Sequence, residues 1–426
     1  MSCLLRKISL SWSKRLHLSL IHNPTVTSLY SVYYISKHNM YSISDPNENN
    51  DSKSIIIDLR SDTVTKPSLA MRKAMFEAEV GDDHLREDPT IETLQRKIAN
   101  IFEKEAALFM PSGTMSNLIA VMAHCNSRGD KVLIGDKSHI LQHEDGGVSE
   151  VGSVMIKTIP NNPDGTFDLE VMDKACCDRT KQDVSLVCIE NTFGHGGSVL
   201  PIQFLDEIGS RLSKMKIPLH LDGARVFNAA VYLNVPVSRL VRDCNSVSVC
   251  LSKGLGAPVG SLLVGSEKFI ERARRLRHLL GGAMRQVGVL GAPGLVALEN
   301  GVKRLAEDHK KLYRIATAVD AMKSKCLFLH MDLHLIHTNI VIIRVNPNCC
   351  SADDLVKRLD KASNNRNQNV TEKEEAEIGK AIRIKCYKID HDAIRFVTYN
   401  AITDNDIELA IQKLSYINEE LQRKMD

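Results

Sequence analysis

The sequence predicts an α/β protein with a mostly parallel seven-stranded sheet and a smaller α+β segment at its C-terminus. At 426 residues, the chain is long enough for a large domain and a second, smaller one. From about residue 106 to 265, short apolar runs alternate with amphipathic stretches, which is the pattern of βαβ units. Near Leu327 the pattern changes to short alternating strands. We therefore expect a large domain at 55–325 and a small one at 326–426.

The first folded elements are expected just before the large sheet. A strand begins at Ile55, and Pro67 suits the first turn of a helix. Asp88 can cap a second helix that starts at Pro89. The polar stretch from Gly81 to Glu87 between these helices is consistent with a simple connector. The candidate strands of the sheet are Ala106 to Met110, Lys131 to Ile134, Val154 to Ile159, Ser185 to Ile189, Pro218 to Leu221, Ser246 to Leu251 and Ser261 to Val264.

The sheet is followed by helices and then by the elements of the small domain. A basic helix is expected from Lys268 to Leu280, and a longer helix from about Gly291. The stretch 363–377 is polar and charged with few apolar residues, which predicts a surface insertion. The other C-terminal elements are expected to be strands Leu335 to Val345, Ala381 to Lys388 and Ala393 to Tyr399, and helices Ala352 to Lys361 and Asp404 to Lys424.

The composition is that of an ordinary globular protein. A net charge of +3 is close to balance, so the expected partners do not include nucleic acid or a membrane surface. No apolar run approaches the roughly 20 residues that a membrane helix needs. The 11 cysteines have no regular spacing, which indicates reduced thiols and no structural metal site.

The N-terminal segment differs in composition from the rest of the chain. Up to Ser44 it contains no Asp or Glu, and its basic residues stand among many serines and leucines. This pattern predicts a mitochondrial transit peptide, whereas the alternative is a disordered extension of a cytosolic protein. We expect residues 1–54 to be a transit peptide-like segment and a linker without fixed structure. The basic residues are Arg6, Lys7, Lys14, Arg15 and Lys37.

Two opposite charges follow short apolar runs that look like buried strands. Asp222 ends one run and Lys253 ends another. Because Asp and Lys are rarely buried without partners, the two charges suggest a bound group that needs both. Pyridoxal 5'-phosphate (PLP) is such a group, since a lysine forms its Schiff base and a carboxylate holds its ring nitrogen. The alternatives are a structural ion pair or two unrelated charges in loops.

Two further stretches add candidate cofactor contacts. Ser112, Gly113 and Thr114 lie where a strand turns into a helix, and a helix N-terminus offers N–H groups to a phosphate. An ordinary strand-to-helix turn would have the same composition. His139 also follows a strand, where an imidazole can stack on a planar cofactor and accept a proton. A structural histidine is the alternative there.

Seven stretches, in order, resemble the low-specificity L-threonine aldolase family from about Ile57 to Ile417: DLRSDTVTKP, FMPSGTMSN, KSHI, HLDGAR, CLSKGLGAPVGS, LLGGAMRQVGVL and IRFVT. The resemblance implies the fold type I architecture of PLP-dependent transferases and assembly into homodimers or homotetramers. It also implies retro-aldol cleavage of L-threonine, L-allo-threonine or another β-hydroxy-α-amino acid to glycine and an aldehyde.

The resemblance also implies a role for each matching residue. For the cofactor, Lys253 would form the Schiff base, Asp222 would hold the pyridine nitrogen and His139 would stack on the ring and assist proton transfer. Ser112, Gly113 and Thr114 would bind the phosphate, with Arg225 close to the cofactor. For the substrate carboxylate, the matching positions are Ser61, Arg225 and Arg395. Arg285, together with Leu85 and Arg86, would contribute to the site of a neighbouring subunit.

Three departures from the family pattern concern substrate and reaction. Leu85 and Arg86 stand where relatives usually have Tyr-Gly, and Phe193 stands where they usually have a second histidine. The segment after Glu190 is one residue shorter than usual, so whether His195 takes that place is left open. The alternatives are therefore a racemase, a β-eliminating lyase or an aminotransferase of the same fold, or a PLP-binding protein that has lost aldolase activity.

Overall fold

The computed structural model describes residues 54–177, 184–322, 327–329, 331–361 and 381–425. The expected N-terminal segment, apart from Ser54, and the expected insertion at 363–377 lie outside these residues. Residues Ile55–Asp426 form one compact unit. The division of this unit at residue 326 stays a prediction.

The seven predicted strands all form, and they make one sheet. After the first strand, β1 (Ser54–Asp58), the sheet strands are β2 (Ala106–Met110), β3 (Lys131–Gly135), β4 (Met155–Ile159), β5 (Val184–Glu190), β6 (Leu219–Asp222), β7 (Ser246–Cys250) and β8 (Ser261–Gly265). The strand order is β2-β8-β7-β6-β5-β3-β4, and only β8 runs antiparallel to the other strands. The prediction of a mostly parallel sheet is therefore confirmed, with boundaries that differ by one residue at some ends.

Both faces of the sheet are covered by helices. Successive residues of β2 belong to different cores, since Phe109 lies in one hydrophobic cluster and Leu108 in another. Such two-sided burial explains why the central strands are mostly apolar, whereas the edge strand β4 is partly exposed and carries Lys157 and Thr158. Among the described residues, no helix is both long and apolar enough to cross a membrane. The helices before the C-terminal strands are α1 (Leu69–Glu77), α2 (Pro89–Phe102), α3 (Gly113–His124), α4 (His139–Gln142), α5 (Gly147–Glu150), α6 (Leu169–Cys176), α7 (Ile202–Met215), α8 (Val226–Leu233), α9 (Val237–Leu240), α10 (Glu267–Leu279), α11 (Gly288–Val296) and α12 (Val302–Ala321).

Local hydrogen bonds decide where the first helices begin. Helix α1 begins after Ser68, whose hydroxyl accepts the N–H of Met71 at 3.2 Å. The prediction that Pro67 lies in the first turn is therefore wrong, because a hydroxyl cap one residue later sets the boundary. The prediction for α2 is confirmed: Asp88 accepts the N–H of Ile91 at 3.0 Å.

The stretch from Gly81 to Glu87 is more than a connector. It contains a 3-10 turn at Asp83–Leu85. Asp83 forms a buried ion pair of 2.6 Å with Arg277 of α10. Arg277 also donates to the carbonyl oxygen of Phe109 at the end of β2. The loop is thus fastened to the sheet edge through Arg277.

The C-terminal segment departs from the prediction in two places. The strand expected from Leu335 is shorter, because Leu333–Leu335 form a 3-10 turn capped by Asp332. The stretch expected to be one strand from Ala381 to Lys388 forms two strands in different sheets. β10 pairs with β1, whereas β11 joins β12 and β9 in an antiparallel sheet. The elements are β9 (Ile340–Arg344), α13 (Ala352–Leu359), β10 (Ala381–Lys385), β11 (Tyr387–Asp390), β12 (Ala393–Val397) and α14 (Asp404–Met425).

The cysteines depart from the sequence-based expectation at one position. Cys349 is disulfide-bonded, whereas Cys188 and Cys250 are buried and free. The expectation of reduced thiols is therefore wrong at Cys349. Spacing along the chain does not reveal which segments folding brings together.

Candidate active site

A pocket of about 330 Å³ opens at the edge of the sheet where the parallel strands end. Ligands of α/β sheets bind at this edge. The pocket brings together six of the predicted residues from four separate stretches, which are Ser112, Gly113, Thr114, His139, Asp222 and Lys253. Its wall also contains Asn117 and Glu144, which the sequence analysis missed.

Asp222, the last residue of β6, is buried and anchored through both carboxylate oxygens. Its Oδ1 accepts the N–H of Ala224 at 3.1 Å, and its Oδ2 accepts Nδ2 of Asn117 at 2.9 Å. Asn117 lies in helix α3 and closes the stretch FMPSGTMSN. Two donors on different elements therefore fix the plane of this carboxylate.

His139 begins the short helix α4 and pairs with a buried carboxyl group. Its Nδ1 lies 2.9 Å from Oε1 of Glu144, and this hydrogen bond raises the pKa of His139. Burial raises the pKa of Glu144. Because Nδ1 carries the proton that Glu144 accepts, Nε2 is the nitrogen left for other contacts.

Glu190, at the end of β5, holds the backbone around His139. Its Oε2 accepts the N–H of His139 at 3.1 Å, and its Oε1 accepts the N–H of Gly194 at 2.8 Å. Burial raises the pKa of Glu190 to about 7. The strand end is therefore tied to both α4 and the loop that carries His195.

The N-terminus of α3 forms one wall of the pocket. Ser112 caps the helix by accepting the N–H of Met115 at 3.1 Å. A Cβ atom on Gly113 would lie 2.8 Å from Sγ of Cys250, so this position has room only for glycine. The close approach leaves backbone N–H groups and the Thr114 side chain on the pocket wall, which suits an anionic ligand.

Arg225 is already engaged by a carboxylate that the sequence analysis did not single out. Its Nε and Nη2 donate to Asp62 at 2.8 and 2.6 Å, and both side chains are buried. Burial opposes the charged form of Asp62, but its ion pair with Arg225 lowers its pKa. Asn339 donates a further bond to Asp62 at 3.2 Å. Asp62 follows Ser61 directly within the stretch DLRSDTVTKP.

Ser61 and Arg395, the other two residues predicted to bind the substrate carboxylate, differ in whether their polar side-chain atoms already form hydrogen bonds. The hydroxyl of Ser61 is buried and accepts the N–H of Thr63, so it caps a turn. Arg395, on β12, is half-buried, and its Nε has no hydrogen-bond partner among the described residues. Burial and the nearby Arg225 lower the pKa of Arg395. Neither residue lies in the wall of the pocket itself.

The residues predicted to serve a neighbouring subunit lie away from the pocket of their own chain. Arg86 has a left-handed backbone with φ of 62° and pairs with Glu271 at 2.5 Å. Arg285 is exposed and pairs with Asp82 at 3.0 Å. Leu85 is 61% exposed. In one chain, therefore, these side chains do not contact the pocket.

The two residues of the shortened loop take different positions. Phe193 is buried, and a Cβ atom on Gly165 would lie 2.7 Å from its ring. The phenyl ring is thus part of the interior. His195 is half-buried, and burial together with Lys137, Arg344 and Arg395 lowers its pKa. The ring centroids of Phe193 and His195 are 6.1 Å apart.

Comparison with known proteins agrees with the resemblance found in the sequence. The family described as beta-eliminating lyase matches residues 58–346. Low-specificity L-threonine aldolase 1 of Arabidopsis thaliana is 46% identical over 310 residues, which cover 71% of this chain and 86% of that protein. The chain belongs to the low-specificity L-threonine aldolase family. The low specificity L-threonine aldolase of Escherichia coli K12 is 45% identical over 259 residues, 60% of this chain and 76% of the relative.

Solved structures support the fold of this family. Threonine aldolase from Leishmania major superposes with a TM-score of 0.67 at 18% identity, over 85% of this chain and 99% of that one. The prediction of the fold type I architecture of PLP-dependent transferases is confirmed.

The Asp62 and Arg225 pair is expected to support the folded state strongly. Replacing Asp62 with Asn leaves a buried guanidinium without its counter-charge, which costs about 3–5 kcal/mol in other buried pairs. Urea unfolding should therefore show that Asp62→Asn lowers the free energy of unfolding by about 3–5 kcal/mol. The control is Asp206→Asn, which breaks the bidentate but exposed pair with Arg239 and should cost only a small part of that amount. If the two variants lost the same free energy of unfolding, the buried pair would stabilise the fold no more than an exposed pair does.

Proposed function

We propose that the protein is a PLP-dependent aldehyde-lyase. It cleaves L-threonine, L-allo-threonine or another β-hydroxy-α-amino acid to glycine and an aldehyde. The observation that carries the proposal is the pocket that holds Lys253, Asp222 and His139 together at the sheet edge of a member of this family. Each of these groups has a task in breaking the bond between Cα and Cβ.

The residues present fit PLP. A lysine amine, a carboxylate anchored on both oxygens and a helix N-terminus stand around one pocket, and PLP needs a partner of each kind. Lys253 would bind its aldehyde carbon, Asp222 its pyridine nitrogen, and Ser112, Gly113 and Thr114 its phosphate. When bound, PLP supplies an electron sink for the electrons left on Cα.

The substrate carboxylate would be bound mainly by Arg395. Asp62 accepts one hydrogen each from Nε and Nη2 of Arg225, which leaves the two hydrogens of Nη1 and the second hydrogen of Nη2 for another acceptor. Arg395 keeps a buried, unpartnered Nε next to that pair. Charge-assisted hydrogen bonds from the two arginines would orient the scissile bond.

His139 is the candidate for moving the proton of the β-hydroxyl group. Its Nδ1 is held by Glu144, so Nε2, or a water bound to it, would accept that proton. The raised pKa of His139 means that the accepted proton is held more firmly. Glu144 would stabilise the charge that the imidazole gains.

A second candidate keeps PLP and changes the reaction to racemisation, β-elimination or transamination. The observation that favours it is the burial of Phe193, which leaves the position of a second histidine inside the hydrophobic interior. Product analysis separates the candidates, because only aldol cleavage of a β-hydroxy amino acid releases glycine.

Purified protein with PLP should release glycine and acetaldehyde from L-threonine or L-allo-threonine. Lys253→Ala should lose at least about a thousandfold in kcat, because Lys253 is the only lysine among the described residues that line the pocket. The assay is detection of both products by chromatography. Absence of glycine from every β-hydroxy amino acid tested would refute the aldolase reaction, and an aldehyde-free product would identify the alternative.

We also propose that the protein works as a homodimer or homotetramer in which Arg285, with Leu85 and Arg86, completes the site of a neighbouring subunit. Both guanidinium groups are exposed, and neither lies in the wall of the pocket of its own chain. The exposed Leu279 lies on the neighbouring end of α10, which adds apolar area to this surface. In a symmetric dimer, the same surface of each subunit would be buried in the interface.

Mixed dimers test this arrangement. Lys253→Ala and Arg285→Ala should each be nearly inactive, but random mixing should restore about a quarter of the activity, because half the dimers then contain one intact site. The control mixture is Lys253→Ala with Arg225→Ala, whose defects lie in the same chain's site and should not complement. Restored activity in the control, or none in the test mixture, would contradict a shared site.

Import into mitochondria remains a proposal that rests on the N-terminal composition. Residues 1–44 fused to a reporter should direct it to mitochondria, since the segment is basic and free of acidic residues. Imaging with a mitochondrial marker gives the measurement. A matched fusion with Gln at the five basic positions is the control and should stay in the cytosol. If the unchanged fusion also stays in the cytosol, the proposal is wrong.

A further inference from the structure

A chain of buried and half-buried hydrogen bonds runs from the pocket through the sheet to its opposite edge. Asn117 contacts His220 at 3.2 Å, His220 contacts Ser246 at 2.8 Å, and Ser246 contacts His124 at 2.8 Å. At the pocket end, the amide nitrogen of Asn117 bonds both Asp222 and Glu144. Nothing in the proposed reaction uses His220, Ser246 or His124 directly.

We propose that Asn117, His220 and Ser246 are positioning residues that hold the Asp222 carboxylate toward the pyridine nitrogen of PLP and the Glu144 carboxylate toward His139. The proposal deepens the function proposed above and rests on it. The residues act through the two carboxylates and do not touch the cofactor or the substrate.

The need for such residues follows from the charges. One oxygen each from Asp222 and Glu144 and a ring nitrogen of His139 lie within 4.8 Å of one another. Two like charges at this distance repel each other strongly inside a protein. The amide of Asn117 has two hydrogens, and it donates to Glu144 at 2.8 Å and to Asp222 at 2.9 Å. One side chain thus separates and satisfies both carboxylates.

The amide can do so only in one orientation. Because carboxylates accept hydrogen bonds, Nδ2 of Asn117 must face them and Oδ1 must face His220. Nε2 of His220 therefore carries a proton. Burial lowers the pKa of His220 to about 4, so the ring is neutral and its Nδ1 is a bare acceptor. His220 thus has a defined tautomer that prevents Asn117 from turning over.

Ser246 and His124 determine which group donates each of the remaining hydrogen bonds. Ser246 must donate its hydroxyl hydrogen to Nδ1 of His220, so its oxygen accepts a hydrogen from Nε2 of His124. Burial lowers the pKa of His124 to about 3, and its ring stacks on Phe269 with a centroid distance of 4.6 Å. The hydrogen bond to Ser246 and the stacked ring of Phe269 thus hold His124 at the end of the hydrogen-bond chain that is remote from the pocket. The direction of hydrogen bonding set there is passed on through neutral groups to the carboxylates of Asp222 and Glu144.

The test compares substitutions at His220 and at two serines of strand β7. His220→Leu removes the donor to Asn117, whereas His220→Gln keeps an amide hydrogen near the same place. Ser246→Ala interrupts the chain with the loss of a single oxygen. Ser248→Ala is the matched control, because this serine is equally buried on the same strand but bonds Ser116, outside the chain.

The measurements are the affinity of the cofactor-free protein for PLP, the pH dependence of the visible absorption of the bound cofactor, and kcat and KM. We expect His220→Leu to weaken PLP binding and lower kcat by about tenfold each, as for the loss of a buried hydrogen bond, with little change in KM. Ser246→Ala should show a smaller loss of the same kind and a shift in the pH dependence. His220→Gln and Ser248→Ala should stay within about threefold of the wild type.

Several outcomes would overturn the proposal. One is that Ser246→Ala has the PLP affinity and kcat of the wild type. Another is that Ser246→Ala and Ser248→Ala lose PLP affinity and kcat equally. A third is that His220→Gln has no higher PLP affinity or kcat than a folded His220→Leu. Circular dichroism establishes folding, and Ser246→Ala keeps the test decisive should His220→Leu not fold. A wild-type protein that binds PLP but cleaves no amino acid would overturn the proposed reaction alone, because PLP affinity still reports on the chain.

Discussion

The crowding of buried carboxyl groups at one edge of the sheet is the constraint on which the site depends. Asp222 and Glu190 end neighbouring parallel strands, and Glu144 lies beside them in the loop after α4. Because these carboxyl groups are largely buried, each needs hydrogen-bond donors from elsewhere in the chain. Asn117, His139 and the backbone of the following loop supply those donors, and the same bonds give the pocket its shape.

A second group of contacts joins three distant segments where a carboxylate would bind. Asp62 comes from the turn after β1, Arg225 from the end of β6, and Asn339 from the start of β9. β1 itself pairs with β10, so the N-terminal strand and the C-terminal elements form one block. The geometry of Arg225 therefore depends on the folding of both ends of the described chain.

The sequence was informative where residues act through local pattern and less so where they act through distant contacts. Apolar runs predicted all seven strands because most of them are buried on both faces, and Lys253 and Asp222 stood out as charges that follow such runs. Asn117 and Asp62 have partners 105 and 163 residues away, so no local pattern shows their roles. Both nevertheless stand inside motifs of the family, which is the signal that could have found them. The split between β10 and β11 depends on pairing partners that an apolar pattern does not specify.

The left-handed backbone of Arg86 has a consequence for how this loop differs from its relatives. With φ of 62°, the position favours glycine, the residue that the family pattern usually has there. An arginine costs about 1–2 kcal/mol in this conformation, and its ion pair with Glu271 offsets part of that cost. The loop thus holds a backbone conformation suited to glycine while the side chain at this position is bound to α10. A glycine at this position would relieve the backbone but would remove this contact between the loop and α10.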